Sequence, residues 1–524
     1  MKDMLALAPL GIVLLTAVAV LVMDLFRPAR VRGGAHLALF SALGCLAALA
    51  AVVLNWPGQA GEFATGWIMG GLRLDTFTLF AWGVLAVMTA LAVMLGQGFD
   101  AENELDHGEF HSFYMFALAG MMVMVAATDL LIMLLGLETM SLAVYGLVAS
   151  RRSSARSAEA GLKYFMNGAI ASAFLVFGMA LVWGETGSIR YAEFGASVAQ
   201  GGNPMLFAGV TMLLAAFAFK IAAVPFHLWT PDAYEGAPTP VTGFMASAVK
   251  TAAFLALARL VFLGLLPEAF KGMAVSYVDA VIFIAIVSMT VGNLAALHQK
   301  DVKRMLAYSS IAHAGYMLMA LALVPTLGSR LTGLNELNSS ILFYLVAYGM
   351  ASLLAFGVLA RLGFGGDEDA SFNRLDGLAS RSPFLALMLT LALLSLAGIP
   401  LTAGFFGKFF LFKELLVLSK GKLVVLVIIA VANSLVSVAY YLRPIMSMYM
   451  KSAEVPRREI RNPLATAALV IAAIGTLWFG IWPGWVELWS GKASAPVTYE
   501  VQKAGEVKDL GRLAPLAEAE KKNP

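Results

Sequence analysis

Of the 524 residues, 60% are hydrophobic and only 13% charged, and the mean hydropathy is +0.81. Soluble domains are about a quarter charged, so a soluble globular chain is excluded, and a formal net charge of +3 gives no footing for nucleic-acid binding. The one cysteine, Cys45, lies in an apolar run, which excludes a disulfide, an iron–sulfur site or a cysteine-based zinc site within the chain.

A helix that crosses a bilayer needs about 20 apolar residues. About fourteen segments meet that standard, near 4–26, 36–55, 74–95, 112–127, 130–150, 160–183, 205–225, 240–264, 275–297, 304–324, 339–363, 383–415, 423–449 and 463–482. The run Met4–Met23 is too long for the core of a signal peptide and ends in DLFRPAR without a small-residue cleavage pattern; it reads as a retained first helix. Basic residues collect in alternate connectors: Arg27, Arg30 and Arg32; Arg151, Arg152 and Arg156; Lys300, Lys303 and Arg304; Lys451, Arg457, Arg458 and Arg461. The positive-inside rule then puts the odd-to-even connectors in the cytoplasm and both termini outside, at the periplasmic surface of a bacterial inner membrane. The acidic connector 100–109 joins the inner set, and the polar tail after Trp489 reads as a solvated end.

Two segments interrupt themselves. In the seventh, Lys220 lies within the apolar run, with Pro225 and His227 close behind. A lysine at bilayer depth costs about 2.5–3.5 kcal/mol on insertion scales, and Pro225, lacking an N–H, would leave the carbonyl of Ile221 free. The twelfth, from Pro383 to Leu415, is too long for one straight span; Gly398, Pro400, Gly404 and Gly407 cluster in its middle, followed by Lys408. Five spans separate the two breaks. Transporters built from inverted repeats carry interrupted helices at matching places in each half. The expected fold is therefore an all-α polytopic membrane protein with two inverted five-helix repeats, helices 4–8 (112–265) and 9–13 (275–450). Flanking helices would occupy 1–100, a fourteenth helix 462–484, and the tail 485–524.

Four charges stand out at membrane depth. Glu138 lies roughly 12 Å into the fifth helix, a partner within reach for Lys220 in an ion pair that opens and closes. A static, structural pair is the plain alternative. Lys250 lies midway along the eighth helix among small residues that suit close packing, and Lys408 lies just past the second break. Lys163 is open to a role as a proton relay or, being near a basic connector, to snorkelling to the surface; Arg259 is similar and is set aside. His227, His298 and His313 are open to a role as proton relays or to simple hydrogen bonding; His36, His107 and His111 fall at span ends or in the acidic connector and read as solvated. No phosphate loop, metal-ligand spacing or nucleophile constellation is present in the sequence.

The stretch FKIAAVPFHLWTPDAYEGAPTPVTGFMASAVK (219–250), with LLGLETMSL around Glu138 and KDVKRMLAYSSIAHAGYM (300–317), resembles the antiporter-like subunits of respiratory complex I and of Mrp-type cation/proton antiporters. The resemblance covers helices 4–13. Lysine at 408 in LAGIPLTAGFFGKF is similar to the N-type branch of the complex I subunits. It implies that Glu138 is the fifth-helix glutamate paired with Lys220, the switchable centre, that Lys250 connects onward, and that Lys408 lies on the release side. It also implies no prosthetic group in this chain, with FMN, iron–sulfur clusters and quinone in partner subunits. The neighbours would be the K-type and M-type subunits, with phospholipids around them. The function implied is proton translocation within an NADH–quinone oxidoreductase. An Mrp-type antiporter subunit without redox chemistry and a purely structural scaffold are the rival readings.

Overall fold

A computed structural model of the chain describes residues 5–493 except 28–34, 57–65, 69–70, 200–202, 265–276, 328–330, 364–369, 453–458, 485 and 487. Arg30, Arg32, Arg457 and Arg458 of the basic connectors, and the tail from 494 on, lie outside the described residues.

Twelve helices among the described residues are long and apolar enough to cross a membrane. They include Thr76–Glu102, Gly108–Ala126, Leu130–Val148, Ala155–Thr186, Val302–Leu327, Leu331–Arg361 and Val424–Met450. Two shorter apolar helices, Pro204–Lys220 and Pro383–Ala397, are the leading halves of the interrupted segments. The segment expected over 383–415 is two helices, since Gly398 turns left-handed at φ +87°, Leu401 at φ +70°, and helix resumes at Ala403–Leu418. The seventh segment breaks earlier than its proline. Helix ends at Lys220, Ala222 adopts φ +60°, and a short helix, Trp229–Gly236, follows. The carbonyls left at that end are used: Phe217, Ala218 and Phe219 accept from the N–H groups of Ile221, Ala223 and Ala222, and Phe219 also accepts from the Trp229 indole at 3.1 Å. A π-helical turn, Met245–Val249, lies between Thr239–Phe244 and Lys250–Gly264. The chain also contains a two-stranded antiparallel ribbon, Gly66–Ile68 with Leu72–Leu74, which the apolar pattern does not signal.

Glycine sets the closest crossings. A side chain at Gly120 would strike the backbone of Met140 and Gly136, and one at Gly136 the backbone of Met124 and Gly120. The same reciprocal contact joins Tyr277–His298 to Val302–Leu327, where Gly292 faces Ala312 and Gly315 faces Met289. In lipid, where no hydrophobic drive separates helix from bilayer, such backbone approach supplies the van der Waals contact that holds helices together. The Thr239–Gly264 stretch is wholly buried. Outer helices expose large apolar side chains such as Leu131, Leu135, Phe174 and Phe177.

The connectors sort onto two faces. On one, Arg27 pairs with Asp106 at 2.6 Å, Arg152 with Glu109, Arg304 with Asp232 and Glu235, Arg361 with Glu459, and Lys451 with Asp376. Every one of these contacts joins connectors or helix ends of the odd-to-even set. On the other, Asn55 donates to the Leu5 carbonyl, Trp56 meets Trp489, and Ser339 bonds Ser490. Residues near both ends of the described chain therefore share a face.

Candidate functional site: a row of buried lysines

Lys220 is the last residue of its helix, so its side chain starts where regular backbone stops. It is 7% exposed. Its ammonium donates to the Ser141 hydroxyl at 2.8 Å and the Tyr145 hydroxyl at 3.3 Å, and lies 5.7 Å from the Tyr145 ring centre. Ser141 passes its own proton to the Leu137 carbonyl at 2.6 Å, which leaves its oxygen lone pairs for the lysine. The expected contact between Lys220 and Glu138 is not made. Glu138 instead accepts from the hydroxyl of Ser172 on Ala155–Thr186. It is half-buried and lies one helical turn from Ser141, within electrostatic reach of Lys220. The two charges thus stand apart with hydroxyls between them.

Lys250 follows the π-helical turn directly and is 3% exposed. It donates to the Ser310 carbonyl at 2.9 Å and to the Ser310 hydroxyl, and the hydroxyl of Tyr234 approaches the same serine at 3.5 Å. π-turns widen a helix locally and collect at functional sites; the sequence around Lys250 carries no break signal that announces one. His313, three residues beyond Ser310, is buried between hydroxyls. Its Nδ1 is 2.8 Å from Tyr344 Oη and its Nε2 3.2 Å from Tyr441 Oη, which in turn meets the Ser309 hydroxyl. A small cavity, with room for about one water, opens beside His313, Tyr344, Tyr348, Ser395 and Gly404. His313 feels the charges of both Lys250 and Lys408, which sets it between them.

Lys408 is 6% exposed and donates to the Ala397 carbonyl and the Ser434 hydroxyl, both at 2.9 Å. That carbonyl belongs to the last helical residue before the second break. A side chain at Gly398 would lie 3.0 Å from the Lys408 Cδ, so glycine there meets both a left-handed backbone and the lysine stem. Tyr316 places its ring 5.3 Å from the Lys408 ammonium and accepts from Asn293, whose carbonyl oxygen takes the Tyr440 hydroxyl. The three lysines share one design: an ammonium at or beside a helix irregularity, with neutral oxygen acceptors and, among the described residues, no carboxylate in contact. A lysine so placed can release its proton without leaving a counter-ion stranded.

The remaining expected residues fall elsewhere. His298 is exposed, with Nδ1 2.9 Å from the Leu294 carbonyl. His227 is half-buried in the non-helical linker beside Pro225, and Pro400 is an exposed residue of the second break. Lys163 is 45% exposed and pairs with Glu159 at 2.7 Å and Asp232 at 2.9 Å. Asp232 also binds Arg304. Arg259 does not snorkel. It is 1% exposed, ion-paired with Asp75, and donates to Thr78 and to the Val125 carbonyl at 2.8 Å each. His111 is fully buried, 3.0 Å from Asp106. Lys303, read from sequence as a connector charge, is 1% exposed and donates to the carbonyls of Glu235 and Ala237 at 2.9 and 2.7 Å. The tyrosines around His313 carry no sequence signal, since an aromatic at helical spacing reads first as core.

Residues 127–435 match the family described as NADH:quinone oxidoreductase/Mrp antiporter, TM. The chain is 41% identical over 473 residues to NADH-quinone oxidoreductase subunit N of Trichlorobacter lovleyi, covering 89% of this chain and 92% of that protein. Its structure is similar to a chain of respiratory complex I from Thermus thermophilus with bound aureothin, with a TM-score of 0.74, 33% identity, and coverage of 91% of this chain and 98% of that one. A chain of the Mrp complex from Dietzia shares the fold, with a TM-score of 0.77 at 21% identity over 95% of this chain and 98% of its own.

Proposed function

We propose that the chain, which belongs to the NADH:quinone oxidoreductase/Mrp antiporter membrane family and is 41% identical to a subunit N, is a proton-translocating membrane subunit of an NADH–quinone oxidoreductase. The observation that carries this reading is the set of three buried lysines, Lys220, Lys250 and Lys408, each held by neutral oxygens and without a carboxylate in contact among the described residues, with His313 set among tyrosine hydroxyls. Protons pass along it from cytoplasm to periplasm, and Glu138 receives the electrostatic signal that drives them. Glu138 suits that role because it is held at the flank of the chain by a serine rather than locked to Lys220. Pulling it toward Lys220 strengthens the lysine's hold on its proton, and releasing it weakens that hold. His227 and His298 are secondary relays at most, and Lys163 belongs to a surface network.

The fine topology belongs to the same reading: fourteen crossings in two inverted repeats, 112–265 and 275–450, flanked by 1–100, 462–484 and the tail 485–524. The paired helix breaks and the paired glycine crossings at Gly120–Gly136 and Gly292–Gly315 support it. The face that gathers Arg27, Arg152, Arg304 and Lys451 is then cytoplasmic, with both termini periplasmic. FMN, iron–sulfur clusters and quinone are left to partner subunits, with K-type and M-type subunits and phospholipids as neighbours. The likeness to the Mrp chain concerns fold alone, so the antiporter reading stands second.

The test is purification of the tagged native protein in mild detergent, followed by NADH–quinone activity and proton pumping in vesicles. Co-purifying flavin and iron–sulfur absorbance with coupled pumping is expected, and Lys220→Ala and Glu138→Ala are expected to abolish or sharply cut coupled turnover in an assembled complex. Normal proton-to-electron ratios in both variants would sink the proposal.

A further inference from the structure

Outside the three lysines, one carboxyl group is buried with neither oxygen hydrogen-bonded among the described residues. Asp100, in the last two turns of Thr76–Glu102, is 1% exposed, and neither of its oxygens has a hydrogen-bond partner. Three more polar atoms around it are likewise buried and unpartnered: the side-chain oxygen of Gln97, one turn earlier on the same helix, the hydroxyl of Tyr114, and Nδ1 of His111 one turn before that tyrosine. Such groups are rare in folded proteins, because a buried polar atom left without a partner loses the hydrogen bonds it made to water. Four in one spot call for a role. Asp100 interacts electrostatically with both Asp106 and Tyr114.

The surroundings connect this spot in two directions. Toward the connector face, Asp106 is held by Arg27 at 2.6 Å and by His111 Nε2 at 3.0 Å. Toward the interior, Pro240 packs beside Gly96 and the Asp100 carboxyl, and Tyr114 meets the Phe244 ring at 4.8 Å. Pro240 and Phe244 belong to Thr239–Phe244, which runs through the π-turn into Lys250. Ten residues of helix separate Pro240 from Lys250, about 15 Å. A buried carboxyl without donor or cation disfavours the charged form, which suits a group that carries and passes on a proton.

We propose that Asp100 is the proton-collecting acid that feeds Lys250 from the Asp106–His111 side, a second uptake point distinct from Lys220. This rests on the proton-translocating reading. In the step, the Asp100 O–H bond breaks, its proton passes toward Tyr114 and Lys250, and the carboxylate left behind takes a proton arriving by way of His111.

The experiment is Asp100→Asn in the intact complex, with pumping measured in vesicles, uncoupled NADH–quinone turnover measured alongside, and Lys220→Ala as the parallel variant. Asparagine keeps the shape of the neutral acid but cannot release a proton. The expected result is a loss of pumping of about a hundredfold, the low end of what one proton-transfer group contributes, with recovery in Asp100→Glu. Difference infrared spectra should lose a carbonyl band of a buried carboxylic acid in Asp100→Asn. Wild-type pumping in Asp100→Asn, or an unchanged carboxylic-acid band, overturns the assignment. Normal pumping in Lys220→Ala overturns instead the reading beneath it. Should Asp100→Asn fail to assemble, Tyr114→Phe, which removes only the hydroxyl, must show the same loss; full pumping there also overturns it.

Discussion

Arg259 and the lysines at 220, 250 and 408 are equally hidden from solvent, at 1% against 3–7% exposed, yet they are built differently. Arg259 has a carboxylate, a hydroxyl and a carbonyl on its guanidinium. Among the described residues, the lysines donate to hydroxyls and carbonyls and touch no carboxylate. An arginine stays charged in proteins, so its burial demands a permanent counter-charge. A lysine can give up its proton, and neutral oxygens serve both of its forms. Burial alone therefore does not separate the two kinds of charge; a fixed carboxylate partner does.

Breaking the fixed pair should have the largest effect. Arg259→Leu takes the buried ion-pair partner from Asp75 and leaves it only Arg73 at 3.3 Å and the Thr78 N–H; breaking a buried pair costs about 3–5 kcal/mol, and native gels should show the assembled protein largely lost. Replacing both partners by apolar residues should recover much of it. Lys250→Ala should do the reverse: assembly persists while pumping falls by about a hundredfold, in the range of a lost proton-transfer group. If Lys250→Ala instead lowers assembly and leaves the pumping of what remains intact, the contrast between the two kinds of charge collapses.

A smaller effect is expected where pairing occurs at the connector face. Burial pushes the Asp106 carboxyl up, but hydrogen bonds and charge from His111 and Arg27 outweigh it and hold the group below its ordinary value. A carboxyl depressed in the fold contributes stability above the unfolded value, near about 4, and loses it as pH falls through the folded value. The thermal midpoint of Asp106→Asn should thus lie below wild type at neutral pH and converge with it on acidification. A gap independent of pH would mean that packing, not ionisation, is responsible. The smallest effect belongs to Lys163, whose exposed pairs with Glu159 and Asp232 are worth about 0–1 kcal/mol; Lys163→Ala should leave melting and pumping within error of wild type. A large pumping defect there would move Lys163 into the row.

Much of this architecture is legible in composition and spacing. Apolar runs of bilayer length, alternating basic connectors, and lysines beside Pro225 and the Gly398–Gly407 cluster point to a polytopic protein with two interrupted helices, because bilayer thickness and helix rise act locally along the chain. What tertiary structure alone decides is partnership. Lys220 and Glu138 are attractive partners by depth, yet Ser141 and Ser172 hold them apart. Arg259 and His111 look like surface groups until the Thr76–Glu102 and Gly108–Ala126 helices bring Asp75 and Asp106 to them. The break falls at Lys220 because the turn after it finds hydrogen bonds from Ala223 and Trp229, five residues before the proline that advertises it. Asp106 is only five residues from His111, but Asp75 is 184 from Arg259, and no local pattern carries a partnership of that reach.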